Sequence, residues 1–177
     1  MRRHSQDVIP RVGLVVALAG LLAACASDEE AKKPPPDPGV GAQLRPVSDS
    51  AIKGFVSFKQ YDGGVDVAIN VYGIPGVNRV VIHSTGVCNS PNGFSAGPPW
   101  IPPGATAPPI IRIAISDNLY GTASASLPGI KIDGPDGIRG KSVVVHRGNT
   151  GSLDARPGAP NDRVACGVIE TNKPLTF

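Results

Sequence analysis

AIKGFVSFKQYDGGVDVAINVYG, residues 51–73, decides how the rest of the chain is read. Ile52, Val56 and Phe58 are apolar with polar residues between them, close to a period of two. Val65, Val67, Ile69 and Val71 then share one face, with Asp66, Ala68, Asn70 and Tyr72 on the other. Asp62-Gly63-Gly64 between them is a turn signal. Two alternating runs across such a turn predict a β-hairpin with one buried face.

Outward from this hairpin the same signature recurs. Strands are predicted at Arg79–His83, Ile110–Ile115, Gly121–Leu127, Ser142–His146 and Val164–Ile169. Turn clusters separate them at Asp117-Asn118, Asp133-Gly134-Pro135-Asp136-Gly137 and Gly148-Asn149-Thr150-Gly151. Their Asp residues are explained by backbone needs rather than by chemistry. No stretch of the folded part shows a convincing helical period, and no internal repeat is visible. With 22 Gly and 19 Pro in 177 residues, the composition suits short strands and many turns. Seven or eight strands imply a sandwich or barrel of class all-β.

The first residues read as an address. MRRHSQDVIPR is basic, and VGLVVALAGLLAA, residues 12–24, is apolar but too short to span a bilayer comfortably. The run ends in Leu22-Ala23-Ala24-Cys25, which resembles a bacterial lipobox; that resemblance implies cleavage before Cys25 and lipidation on it. A plain signal peptide with an incidental Cys is the alternative. The expected organisation is a leader at 1–24, a lipidated Cys25 with a Pro-rich tether at 25–47, and a folded domain at 48–177. The expected location is the bacterial cell envelope, on the outer face of the cytoplasmic membrane or on the outer membrane. The formal charge of +3 includes +2 from the leader, so the remainder is nearly neutral. That excludes the basic stripe a nucleic-acid binder needs.

Beyond Cys25 the chain has only Cys88 and Cys166. An even pair in an exported protein reads as a disulfide, closing a loop of about 78 residues worth roughly 4–5 kcal/mol in the chain-entropy model. The rival reading is a Cys/His metal site, which wants four ligands at short spacings. Only two His accompany the two Cys after residue 25, and none form CxxC or HxxxH pairs. Neither a Ser/His/Asp grouping nor a phosphate-binding Gly loop is present.

Three segments, in order, resemble the copper/zinc superoxide dismutase family. GIPGVNRVVIHSTGVC (73–88) is similar to that family's G-L-x-P-G-x-H-G-F-H-x-H-x-x-G-x-C. GIRGKSVVVHRGNT (137–150) is similar to its I-x-G-R-x-x-V-V-H block, and NDRVACGVIE (161–170) to its S-R-x-A-C-G-V-I block. The resemblance covers about residues 50–170 and implies an eight-stranded Greek-key barrel with a Cys88–Cys166 disulfide.

The same resemblance implies a degenerate metal site. The family holds copper with four His, one of them shared with zinc. Here H-x-H is Val81-Ile82-His83, so only His83 survives of that pair. In Ser95-Ala96-Gly97-Pro98-Pro99-Trp100-Ile101-Pro102 the bridging His is replaced by Pro99. His146 matches the fourth copper ligand. Between Gly97 and Ile110 there is no His or Asp for zinc. Arg163 matches the family Arg that guides the anion to copper, and that position also packs near the disulfide.

Two imidazoles hold copper weakly at best, and Val and Pro offer no lone pair. The expectation is therefore a dismutase-like lipoprotein without resident zinc or copper, acting as a binding or structural module. The alternatives are a residual copper-dependent dismutase and a weak copper-binding lipoprotein using His83 and His146. PPWIPPGATAPP, within loop 97–109, is stiff and offers Trp100 either as a plug for the barrel end or as a surface for an envelope protein partner.

Overall fold

The computed structural model describes residues 39–148 and 162–171. The leader, Cys25, the tether up to residue 38 and the turn beyond Gly148 lie outside the described residues. Among the described residues eight strands form: β1 (Val40–Pro46), β2 (Lys53–Tyr61), β3 (Gly64–Tyr72), β4 (Gly76–His83), β5 (Ile110–Ile115), β6 (Tyr120–Pro128), β7 (Ser142–Arg147) and β8 (Arg163–Thr171). Their order across the sheet is β5-β4-β7-β8-β1-β2-β3-β6, with every neighbouring pair antiparallel. The terminal strands β5 and β6 meet again at a tight turn, where Ser116 N donates to Tyr120 O at 3.1 Å. The sheet thereby curls into a nearly closed, all-β Greek-key barrel.

The opening hairpin forms as its pattern requires. β2 and β3 pair from Lys53↔Tyr72 to Tyr61↔Gly64, which keeps Val56 and Phe58 on the same face as Val65, Val67, Ile69 and Val71. A shift of one residue would turn all of these outward. Inside the barrel they join Leu44, Val80, Ile82, Ile113, Ile115, Val143, Val145 and Ile169 in one aliphatic core. Ile130, Ile132 and Ile138, all from the β6–β7 connection, add to it.

One boundary differs from the expectation. The tether was expected to reach residue 47 and the domain to begin at Ser48, yet Val40–Pro46 is strand β1. Val40, Ala42 and Leu44 point into the core while Gln43 and Arg45 face out. β1 is held on both sides, by β2 (Val40↔Phe58 through Leu44↔Gly54) and by β8 (Val40↔Thr171 through Pro46↔Ala165). Its short, small-residue alternation sits beside a Pro-rich flank, and only long-range pairing makes it a strand.

A second, smaller compartment lies on the outer face of β4, β7 and β8. Residues alternate across a strand, so Val80 and Ile82 enter the barrel while Arg79, Val81 and His83 face the other way. That outer face is nevertheless buried, because the β4–β5 connection folds over it. Ala96 of this connection packs there with Val47, Val144, Cys166 and Cys88. Cys88 and Cys166 are joined as a disulfide with Cα atoms 5.6 Å apart.

Candidate functional site

His83 and His146 come together in this outer compartment. Across the β4–β7 ladder, Arg79 faces His146, Val81 faces Val144 and His83 faces Ser142. The two histidines therefore reach towards each other diagonally over Val81 and Val144. Their Nε2 atoms are 3.0 Å apart, and their rings stack at 19° with centroids 5.2 Å apart. Both side chains are fully buried.

Each ring is oriented through its other nitrogen. His83 Nδ1 lies 2.8 Å from Gly97 O; a carbonyl can only accept, so His83 donates there. Burial pushes the His83 pKa down to about 3, with the charges of Arg163 and His146 adding to the fall and the Gly97 bond opposing it. A neutral His83 with its proton on Nδ1 presents a lone pair at Nε2 towards His146 Nε2. His146 Nδ1 faces Asp162 Oδ1 at 2.9 Å. Burial alone would raise the Asp162 pKa, but its bond to His146 and the charges of His146 and Arg79 outweigh that and hold it low. Arg79 Nη2 donates to Asp162 Oδ2 at 2.7 Å.

Glycine sets the loop side of the site. Gly97 has φ 73° and ψ −160°, a backbone conformation that favours glycine, and a Cβ on it would sit 2.9 Å from Ser84 Oγ. The tight path aims its carbonyl at His83. The same carbonyl also accepts from Arg163 Nη2 at 3.0 Å, and Gly93 O accepts from Nη1 at 2.8 Å. A β-bulge produces this: Val145 pairs with Ala165 but His146 pairs with Arg163, leaving Val164 as the extra residue. The bulge turns Arg163 outward beside His146 and beneath the loop. At 3% exposure, with its guanidinium 5.2 Å from the Phe94 ring centroid, Arg163 fastens the loop. Its charge is engaged by loop carbonyls and shielded from solvent, which is the packing role that the resemblance also implies for this position.

The replaced ligand positions are filled by hydrocarbon. Val81 is buried between the histidines' strands. Pro99 forms an isolated bridge with His83, so the position of the bridging His lies alongside β4 but carries no donor atom. Trp100 follows, half-buried against the aliphatic core, its backbone N–H donating to Ile82 O at 2.8 Å. Lys141 Nζ lies 5.3 Å from the Trp100 ring centroid. Trp100 thus plugs the barrel margin, and the neighbouring Ile101 is the exposed apolar residue of the loop.

Among the described residues no group of three or more His, Cys, Asp or Glu is placed to hold a metal ion. Two imidazoles with Val and Pro at the neighbouring ligand positions are a poor donor set for copper or zinc. The donor set at the copper position is two imidazoles, whose Nε2 atoms face each other 3.0 Å apart. Sequence reasoning had brought His83, His146, Arg163 and the disulfide to one neighbourhood. It missed Asp162 and Arg79, which carry no motif of their own and meet only through strand register. A family model for copper/zinc superoxide dismutase matches residues 52–169 of the chain.

Proposed function

Because this chain belongs to the copper/zinc superoxide dismutase family, we propose that it is a member that has given up dismutation and serves as a lipid-anchored binding or structural module of the bacterial cell envelope. The observation that carries this reading is the histidine pair. Dismutation needs a metal that cycles between oxidation states with an open position, and a copper site needs several converging imidazoles. Here the two remaining imidazoles face each other with their Nε2 atoms 3.0 Å apart, while Val81 and Pro99 stand where further ligands would be required. The chain after residue 25 contains no other His.

The anchor is Cys25, by the lipobox resemblance of Leu22-Ala23-Ala24-Cys25. Cys25→Ser is expected to move the protein from the membrane to the soluble fraction and to abolish palmitate labelling. The partner-facing surface is the Pro-rich loop 97–109 through Ile101, which is 48% exposed. Ile101→Asp is expected to abolish cross-linking to an envelope protein while leaving the melting temperature unchanged.

A weak copper site is the second reading. In its favour, each histidine has its Nδ1 oriented by an acceptor and its Nε2 turned inward, the outer-shell arrangement of metal-binding histidines. One experiment separates the readings. The purified chain receives one equivalent of Cu(II), is dialysed, and is assayed for bound copper and superoxide decay. Neither copper nor decay is expected. Stoichiometric copper without decay establishes the second reading, and copper with fast decay restores an enzyme.

A further inference from the structure

At two positions touching the histidine pair, this chain departs from the family pattern in a coordinated way. Aligned on His83, the pattern carries Gly where this chain has Arg79. Aligned on Arg163, it carries Ser where this chain has Asp162. The two newcomers are 83 residues apart in sequence and form an ion pair at 2.7 Å. Arg79 is buried and also donates from Nε to Gly148 O at 3.0 Å. Asp162 is reinforced through its backbone, its carbonyl accepting from Arg147 N at 2.7 Å. One carboxylate thereby ties β4, β7 and the start of β8 together.

The chain of contacts continues through His146 and His83 to Gly97 O, on the loop that covers the site. In a metal centre an ion supplies the positive charge that gathers ligands from different elements. Here a guanidinium supplies it, and a carboxylate passes the constraint to the first imidazole. Each newcomer requires the other. Asp162 without Arg79 would be a partly buried carboxylate short of a counter-charge, and Arg79 without Asp162 a buried guanidinium without its ion-pair partner.

We propose that the Arg79–Asp162 pair stands in for the metal ion, fixing His146, then His83, and so fastening the covering loop to the barrel without metal. The proposal rests on the metal-free reading of the site given above.

The test compares Arg79→Gly, Asp162→Ser and the double variant, the residue types of the family pattern, with Asp162→Asn as the conservative probe. Each single change is expected to lower the melting temperature of the full chain by about 10 °C, and the double variant by clearly less than the sum. In Asp162→Ser the proton on His146 Nδ1 is expected to lose its protected NMR resonance and the His83 Nδ1 proton on Gly97 to exchange faster, whereas Asp162→Asn, whose Oδ1 can still accept from His146, restores part of the protection. Additive losses, or a His146 resonance retained in Asp162→Ser, overturn the pairing. A fall in the parent's melting temperature on adding EDTA overturns metal independence. Bound copper in the dialysis experiment, with the non-additivity intact, instead defeats the metal-free reading and leaves the pairing standing.

Discussion

The barrel interior and the covered outer face of β4, β7 and β8 are equally dry but are built from different chemistry. Inside, Val, Ile, Leu and Phe fill the space, and their stabilisation comes from apolar area removed from water. Outside, Arg79, His83, Ser142, His146 and Arg163 are buried beneath a loop, and their cost is offset by hydrogen bonds and an ion pair. The interior tolerates any well-shaped hydrocarbon. The outer compartment depends on particular atoms, so it is where the family's chemistry can be lost or rewired without losing the barrel.

Breaking the comparison begins inside. Ile69→Ala should cost about 4 kcal/mol, because Ile69 is fully enclosed by its neighbours and leaves a cavity. Urea unfolding measures it; a loss under about 1 kcal/mol would mean that the core is loosely packed. Replacing both Cys88 and Cys166 by Ser should cost about 3 kcal/mol by freeing a long loop in the unfolded chain. A comparable loss from dithiothreitol treatment of the parent checks the same quantity.

The outer compartment should also carry a pH signature. The folded-state pKa of His83 is lowered to about 3, below its ordinary value of 6.5. The unfolded chain therefore binds a proton at this residue first, and stability is lost as pH falls below about 6.5. The loss attributable to His83 should reach about 2 kcal/mol by pH 5. Asp162, also lowered, adds its own loss only at more acidic pH, near the ordinary carboxylate range. Unfolding at pH 7 and pH 5 should show the slope in the parent and a flatter one in His83→Gln.

The smallest effect concerns Ser142, whose buried Oγ has no hydrogen-bond partner among the described residues. Ser142→Ala should be neutral or stabilising by up to about 1 kcal/mol, as an unsatisfied hydroxyl is removed. A clear destabilisation in a thermal melt would reveal a bound water there.

The same contrast explains what could be read in the sequence. The interior follows from alternation, and β2 and β3 announce it because Val, Ile and Phe recur at every second position. β1 does not, since Val40, Ala42 and Leu44 are few and flanked by prolines, and its partners lie in β2 and β8. On the outer face, alternation is masked because both sides of β4 and β7 are buried. His83 and His146 could be found by motif, whereas Asp162 and Arg79 could not. Their encounter depends on the bulge at Val164 and on the β4–β7 register, neither of which has a local signature.

β8 pairs with both β7 and β1 and carries Cys166. Among the described strands, the last to be synthesised is therefore the one that joins the first to the rest of the ladder. Until residue 163 and those after it are available, β1 has only one neighbour, Cys88 has no partner and Arg163 is not there to hold the covering loop. Such distant pairing makes for a slow folding reaction whose decisive contacts come late. A nascent chain thus stays open along most of its length, and the barrel and its loop are secured in a single closing event.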